Sequence, residues 1–485
     1  MYGLCAREWS AHMAAGKALH APLDAMKRWM AQHPTLCRWL GVFRLGLFQF
    51  GMGVSLAPLT GTLNRVLINE LAIPAVAVGF LIAIHYFVSP TRALIGFESD
   101  RARAAGHWRT PYLVMGAMLT YGGLATAPFS LILLSGEGTL SFPVAMIVCT
   151  LIFLAYGLGV NIVETIYLAT VSDVTPAHER GRVLGVLWIM LVLGTIVSSI
   201  IMGQLLLDYS HKLLIQVMQG SAVIFIALTF VAMYGQERLK PNGELEDVTE
   251  PIRVRETLGQ SLRLLAAQAP LRNLFIVLFV ATLGFATQDV LLEPYGGQVL
   301  GMSVSETARL TALWGVGMLV GILVAAVLLW RERSPALMIG AGCLLGLFGF
   351  LAVTLAGSSL NTAIFYSGVS MIGAGRGAFI VGALALVMGL VDRNHAGLFI
   401  ALWGITQALA QGISTIGGGI GRDIVQYMTG NITLGYTAVY STSLLLLAAT
   451  VLLLIGLHRS HGLRLNDVRS PWASLDQANV DQILF

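Results

Sequence analysis

Residues 213–235 read LLIQVMQGSAVIFIALTFVAMYG, a stretch that contains no charged side chain. A helix needs about 20 predominantly apolar residues to cross the hydrocarbon core of a bilayer, so this stretch predicts a membrane span. The longest polar interruption of the hydrophobic pattern follows at 236–270, and a second apolar run at 271–291 comes after it. The sequence therefore predicts two groups of spans on either side of a polar linker.

The composition supports a polytopic membrane protein, because 56% of the 485 residues are hydrophobic and only 11% are charged. Soluble domains carry about 25% charged residues. The fold prediction is all-α, with twelve transmembrane helices in two six-helix halves. The expected spans are 39–60, 73–96, 111–134, 143–168, 183–207, 213–235, 271–291, 307–330, 336–357, 361–390, 396–420 and 434–457.

The positive charges predict the orientation of the chain. With the N-terminus inside, the inner segments hold 22 of the 29 Lys and Arg residues, the outer loops hold 4, and 3 lie within helices. Positive charge concentrates on the cytoplasmic side of membrane proteins, so both termini are expected in the cytoplasm. The net charge of +4 reflects this asymmetry and does not indicate nucleic-acid binding.

The predicted division of the chain has five parts. A surface segment at 1–38 lacks the apolar core of a signal peptide and precedes a first half at 39–235. The linker at 236–270 contains an expected amphipathic helix near 253–266, where leucines recur at helical spacing. A second half at 271–457 and a cytoplasmic tail at 458–485 complete the chain. Six spans, a cytoplasmic linker and six more spans are typical of the major facilitator architecture.

A polar loop between the second and third spans adds a motif. Residues 96–101 read GFESDR, with Gly96, Asp100 and Arg101, and Arg109 follows. Glycine permits a tight turn, while the acid and the arginines can bind helix ends or one another. This resembles the loop signature of major facilitator proteins, which implies a latch that holds the cytoplasmic side closed. The equivalent loop at 331–335 lacks the Gly and Asp.

A more specific motif lies before this loop. Residues 61–75 read GTLNRVLINELAIPA, followed by PTR at 90–92 and RTPY at 109–112. Together these resemble the bacteriochlorophyll delivery branch of the major facilitators, the PucC/LhaA-type proteins of purple photosynthetic bacteria. The residues that carry this resemblance are Asn64, Arg65, Glu70, Pro74 and Arg92.

The resemblance implies a role in the assembly of light-harvesting antenna complexes in the intracytoplasmic photosynthetic membrane. Bacteriochlorophyll is the implied cofactor, and the implied partners are antenna polypeptides, the reaction-centre complex and membrane lipids. Two alternatives stay open: a proton-coupled transporter of an amphiphilic small molecule, and a pigment-free scaffold that docks helices. Whether a carotenoid binds as well does not follow from the sequence. No motif of a hydrolase, metalloprotease or nucleotide-binding enzyme occurs, so the protein is not expected to be an enzyme.

His85 is the leading candidate ligand, because of ten histidines it alone falls in the middle of an expected span. It lies in FLIAIHYFVSP at 80–90, where Pro90 should kink the helix and free the carbonyl of Tyr86. A neutral imidazole can ligate a chlorin magnesium, and Tyr86 and Phe87 would line the pocket. The alternative interpretation is a polar contact between helices.

Four of the other charged residues within the expected spans are candidates for a role. Glu164 and Arg376 suggest a ligand site, an anionic substrate or proton coupling, and the alternative is pairing inside the bundle with Asp289, Glu293 or each other. Their expected depths differ by roughly 10 Å, which disfavours a direct contact between the two. Arg44 and Arg92 lie near helix ends, where snorkelling to lipid phosphate is the favoured interpretation.

Overall fold

The computed structural model describes residues 33–104, 108–136, 140–175, 179–236, 269–390 and 396–460. Within these ranges the chain forms helices and no strand. The expected amphipathic helix at 253–266, most of the surface segment at 1–38 and most of the tail at 458–485 lie outside the described residues, so these predictions stay predictions.

The first half contains nine helices, several of which are pieces of one span. Their bounds are α1 Pro34–Ala57, α2 Asn64–Asn69, α3 Ala75–Phe87, α4 Thr91–Ala104, α5 Thr110–Thr126, α6 Ser130–Leu134, α7 Phe142–Val174, α8 Arg180–Leu205 and α9 His211–Met233. A π-helical turn at Pro58–Leu63 joins α1 to α2, where Pro58 has no N–H to continue the regular pattern.

The second half repeats the alternation of long helices and short turns. Its helices are α10 Ala269–Ala286, α11 Leu292–Gln298, α12 Val304–Trp330, α13 Pro335–Ser359, α14 Thr362–Leu390, α15 Ala396–Thr429 and α16 Ile432–Ser460. Serines begin two of the long helices: Ser210 accepts from the Leu213 N–H, and Ser303 forms a capping box with Glu306.

The all-helical prediction is confirmed, and the span count is confirmed in part. Among the described residues, nine helices are long and apolar enough to cross a membrane. The first span begins at Pro34 and extends through Asn69, which is longer than 39–60 at both ends. The expected second span at 73–96 is two helices, because the chain turns at Val88–Pro90.

The main hydrophobic core is continuous through both halves. In the first half α1 lies against α8 and α9, while α7 lies against α3 and α5. In the second half α14 lies between α12 and α13, and α16 packs against α10 and α13. The halves meet along α3 with α15 and along α8 with α12, and the short helices α2 and α11 also contact each other.

Candidate functional site

His85 lies in the last turn of α3, about ten residues below the first residue of that helix. At 1.5 Å per residue this places it about 15 Å along the helix, near the middle of a bilayer. Its Nδ1 lies 2.6 Å from the Ile82 carbonyl oxygen, which cannot donate, so Nδ1 carries the proton. In the neutral ring Nε2 is then unprotonated and able to ligate a metal or accept a hydrogen bond.

Two tyrosines surround the imidazole. The Tyr86 ring centroid lies 3.7 Å from that of His85, and the Tyr156 ring stands edge-on with its centroid at 6.4 Å. The Tyr156 hydroxyl is buried and has no hydrogen-bond partner among the described residues. The tyrosine expected beside His85 is therefore present, and the sequence did not indicate Tyr156, whose apolar neighbours look like ordinary packing residues.

The backbone at His85 is held by α7. Asn161 donates from Nδ2 to the His85 carbonyl at 3.0 Å, and Gly157 lets α7 approach the His85 Cα closely. The prediction that Pro90 frees the Tyr86 carbonyl is wrong, because that oxygen accepts a hydrogen bond from the Ser89 N–H at 3.1 Å. Pro90 breaks the span into two helices, and the turn satisfies the groups that a mid-helix kink would leave open.

Phe87 points elsewhere than the sequence suggested. Its side chain is 43% exposed and its ring packs at Gly412 of α15, in the opposite half. Phe87 therefore belongs to the joint between the halves, while the two tyrosines contact His85.

Glu164 pairs with Arg92 inside the first half. Arg92 donates from Nη2 to Glu164 Oε2 and from Nε to Asn161 Oδ1, each at 2.5 Å. The interpretation that Arg92 extends to lipid phosphate is therefore wrong, because α7 provides a carboxylate and an amide within hydrogen-bond distance of its guanidinium. Arg44 donates to the Tyr234 carbonyl at 3.2 Å, so it provides a hydrogen bond to a carbonyl at the C-terminal end of α9.

Arg376 pairs with Asp289 in the second half, with Nη1 2.7 Å from Oδ1. The guanidinium carbon also lies 5.5 Å from the centre of the Trp314 ring, within the range of a cation–π contact. Arg376 therefore takes the partner that the sequence analysis named, and Glu164 and Arg376 each have their own counter-charge.

Tyr86 links the two halves of this region. It lies close enough to Asp289 and Arg376 for electrostatic interaction, and Tyr156 interacts in the same way with Tyr86 and Glu164. Electrostatic interactions thus connect Glu164, the two tyrosines and Arg376. The side chains of Asp289, Glu164 and Arg376 are 18%, 19% and 11% exposed, so each keeps some accessible surface.

The motif at 61–75 joins the halves at the end where α2 and α11 finish, here called the signature end. Arg65 donates to Glu70 Oε1 at 2.6 Å and to the Met302 carbonyl at 3.1 Å. Asn64 donates to the Val290 carbonyl at 3.1 Å, and Pro74 is the N-cap residue of α3. Seven hydrogen bonds between described residues of the two halves lie at this end.

Helix α15 supplies part of this joint, which the sequence analysis missed. Arg422 donates to Gln298 Oε1 at 2.7 Å, and Asp423 accepts the Val76 N–H at 2.8 Å across the halves. Arg422 lies two residues beyond the expected span at 396–420, yet the helix continues through it and the side chain is 5% exposed. The adjacent opposite charges of Arg422 and Asp423, which follow the glycines at 417–419, were the sequence feature that could have indicated this contact.

The loop motif is centred on Arg109. This side chain is 3% exposed and binds Asp100 at 2.8 Å, Asp173 at 3.0 Å and Ser99 at 2.5 Å. Gly96 lies one turn before Asp100 in α4, and Arg101 is exposed. These contacts join α4 and α7 within the first half, and the latch on the cytoplasmic side stays a prediction.

The described residues contain no group of three or more His, Cys, Asp or Glu side chains arranged to hold a metal ion. His85 by itself provides one ligand. It suits a metal whose remaining ligands come from elsewhere, such as the nitrogens of a macrocycle.

The helices and their packing match the major facilitator fold. A bacterial homologue of the human lysosomal transporter Spinster, in an inward-facing and occupied conformation, matches with a TM-score of 0.63 at 13% identity, over 87% of this chain and 97% of that one. A D-xylose–proton symporter matches with a TM-score of 0.61 at 14% identity, over 84% and 96%. These likenesses show the fold.

The chain belongs to the PucC family, whose model, described as PUCC protein, matches residues 62–462. Protein PucC of Rhodovulum sulfidophilum is 39% identical over 79% of this chain and 85% of the relative. Protein PucC of Cereibacter sphaeroides is 36% identical over 86% and 92%. The resemblance found in the sequence is thus confirmed, and the protein has a PucC-type role in a photosynthesis-related membrane.

One more distant relative has an enzyme-like name. The bacteriochlorophyll synthase 44.5 kDa chain of Rhodobacter capsulatus is 28% identical over 87% of this chain and 96% of the relative. The PucC relatives and the apolar helices together indicate a membrane protein.

Proposed function

We propose that the protein is an assembly factor for light-harvesting complexes, which holds bacteriochlorophyll between its halves and delivers it to antenna polypeptides. The observation that carries the proposal is His85, whose unprotonated Nε2 lies deep in the bundle beside two aromatic rings. Membership of the PucC family supports a pigment as the ligand.

The residues around His85 fit a chlorin. Bacteriochlorophyll supplies a magnesium that takes an axial nitrogen, and His85 offers one without needing a protein metal cluster. The rings of Tyr86 and Tyr156 suit a flat apolar macrocycle, because aromatic side chains prefer stacked or edge-on contacts. The Tyr156 hydroxyl, buried without a partner, is a donor for a carbonyl on the ring edge.

The proposed partners are antenna polypeptides, docked on the outward faces of the helices, with the reaction-centre complex as a further candidate. Glycines with no neighbouring atom within 4 Å of an added Cβ occur on these faces at Gly122 and Gly220. Small residues allow transmembrane helices to approach closely, which supports docking by single helices. Both termini are proposed to be cytoplasmic, on the charge bias alone.

The test is the pigment content of variants purified from pigment-containing membranes. His85→Leu keeps most of the side-chain volume and removes the ligand nitrogen, so bound bacteriochlorophyll should fall at least fivefold while the protein still folds. His85→Phe shows whether bulk at this position matters. His211→Leu, at an exposed histidine, is the matched control and should leave the pigment content unchanged. A His85→Leu protein with full pigment and an unshifted spectrum would show that His85 is a packing residue.

A second test addresses delivery. A deletion strain should lose antenna absorption while pigment synthesis continues, and the wild-type gene should restore the antenna. Normal antenna levels in that strain, with no paralogue expressed, would contradict the proposed role.

Transport of an amphiphilic molecule is the second candidate function. It is favoured by the intramembrane pair Arg376–Asp289 and by the transporter fold. Proton-driven uptake into liposomes that contain the purified protein would support it. If neither uptake nor bound pigment is found and antenna helices still co-purify, the protein is a pigment-free scaffold.

A further inference from the structure

Glu293 is a buried carboxyl at the signature end that the proposed pigment site does not use. It lies in the first turn of α11 and is 4% exposed. Its Oε1 accepts a hydrogen bond from Thr311 Oγ1 at 2.5 Å, while its Oε2 is buried and has no hydrogen-bond partner among the described residues. One oxygen of this carboxyl is therefore shielded from water without a donor to replace it.

The carboxyl packs directly against the first half. A Cβ added to Gly61, in the π-helical turn that joins α1 to α2, would overlap Glu293 Oε1, so glycine permits this approach. Thr62 of the same turn is close enough to interact with the carboxyl. Helix α11 also packs against α2, and seven hydrogen bonds between the halves lie at this end. A change of charge at Glu293 therefore acts on the joint between the halves.

Among the residues that the structure describes, no basic side chain forms an ion pair with Glu293. Arg65 of α2 attracts the carboxyl through space, but its N–H groups bind Glu70 Oε1 at 2.6 Å and the Met302 carbonyl at 3.1 Å. An ionised carboxylate is costly in a buried place unless a cation pairs with it. The closed joint therefore favours the neutral acid.

The other charged and titratable side chains around α11 interact elsewhere. Asp289, one turn before Glu293, pairs with Arg376. The remaining groups have partners of their own, namely Glu306 with Ser303, Arg309 with the Gly203 carbonyl, Tyr366 with Glu306 and Arg309, Arg422 with Asp423 and Gln298, and both Tyr436 and Tyr440 with Tyr295. Within the described residues, no second charge is thus in position to balance an ionised Glu293.

A proton on Glu293 would supply a donor where acceptors lack one. Asn64 Nδ2 donates to the Thr60 and Val290 carbonyls at 2.6 and 3.1 Å, which leaves Asn64 Oδ1 buried and without a partner among the described residues. Val290 lies three residues before Glu293, so both oxygens belong to the contact between α2 and the chain that leads into α11. A neutral carboxylic acid has the O–H group that this contact lacks.

We infer that Glu293 binds a proton as the two halves close at the signature end, and that release of this proton to water opens that end. The proton comes from water and returns to it, and the O–H bond is the bond that forms and breaks. In the open state the carboxyl meets water and ionises at about pH 4, so closing takes up a proton at neutral pH and a rise in pH favours the open state. The inference goes beyond the proposed function and holds whether or not the protein binds pigment.

The experiment measures the distance between the halves at the signature end as the pH changes. Spin labels are attached to cysteines at the exposed Leu207 and Tyr427, one in each half, in a background without the native cysteines. Double electron–electron resonance on the purified full-length protein then gives the populations of the short and long distances. With the native Glu293, the population at the long distance should rise by about threefold or more between about pH 5 and about pH 9.

Three variants in this labelled background make the test specific. Glu293→Gln keeps the shape of the side chain and cannot ionise, so the short distance should dominate at both pH values. Glu332→Gln makes the same chemical change in the exposed turn after α12 and should keep the full response. Thr311→Val removes the donor to Oε1, which disfavours the ionised form, so the midpoint of opening should move to higher pH.

An infrared measurement detects the proton itself. The C=O band of a protonated carboxylic acid should appear in the protein with native Glu293 and lose intensity over the pH range in which the long distance appears. The same intensity should be missing from Glu293→Gln.

The inference is overturned if the distance does not change with pH, or if Glu293→Gln opens as the protein with native Glu293 does. If Glu293→Gln fails to fold, an unshifted midpoint in Thr311→Val overturns it. These results leave the proposed pigment binding untouched, and a protein that binds no pigment can still open with pH, so the two proposals fail separately.

Discussion

The carboxylate of Asp423 caps a helix in the opposite half, because its Oδ2 accepts the Val76 N–H at 2.8 Å. Pro74, the N-cap residue of α3, has no side-chain oxygen to do this, so the first turn of α3 is completed by α15. The other carboxylate oxygen accepts from Arg422 at 2.7 Å. The start of α3 is therefore tied to the second half, at the same end as the family motif.

Removal of this cap should loosen the signature end. Asp423→Ala deletes a helix-capping acceptor, which costs about 0.5–2 kcal/mol, and leaves Arg422 without its neighbouring acid. A cysteine placed at the buried Ile73, in a background without the native cysteines, should react faster with a water-soluble maleimide in the variant. Asp208→Ala is the matched control, and equal labelling rates in all three proteins would show that the cap does not hold the halves together.

Arg109 should matter more than Asp100 in the loop motif. Arg109→Ala removes a buried guanidinium that binds Asp173 and Ser99, and loss of one member of a buried pair costs about 3–5 kcal/mol. Asp100 is 57% exposed, so Asp100→Ala should cost at most about 1 kcal/mol. Thermal unfolding in detergent should therefore show a much larger drop in Tm for Arg109→Ala. Equal decreases in Tm for the two variants would show that Asp100 contributes as much stability as Arg109.

The crossing of α1 and α8 should not tolerate a methyl group. A Cβ at Gly194 would overlap the Phe50 carbonyl oxygen, a backbone atom that cannot rotate away. Gly194→Ala should lower stability by about 1–3 kcal/mol through overpacking. Gly122→Ala is the control, because nothing lies within 4 Å of its Cβ position and alanine favours a helix over glycine. If both variants unfold alike, the close approach is not what limits this crossing.

The Tyr156 hydroxyl should contribute to binding and not to folding. Because this buried hydroxyl lacks a partner, Tyr156→Phe should leave stability unchanged or raise it by up to about 1 kcal/mol. If the hydroxyl donates to the pigment, the variant should bind bacteriochlorophyll less tightly and with a shifted absorption band. A loss of stability with unchanged binding would instead indicate an unrecognised structural partner.

Local features of the sequence were enough to predict most of the helices. Apolar length and the polar turns between the runs locate the long helices from 142 to 233 and from 304 to 390, because burial in lipid requires such runs. The break at Val88–Pro90 was expected as a kink, since proline forbids regular helix there but does not dictate how the chain recovers. The motif at 61–75 identified the family from the residues alone.

The sequence by itself determined that this is a helical membrane protein of the PucC family with an imidazole at mid-span, since these follow from residue type and spacing along one helix. The tertiary structure decided which charges meet. Arg92 pairs with Glu164 and not with lipid phosphate, and Asp423 binds the Val76 N–H of the opposite half. These partners are 72 and 347 residues apart in the sequence, so only the packing of the helices brings them together. A buried charge requires a partner, and the fold selects which one.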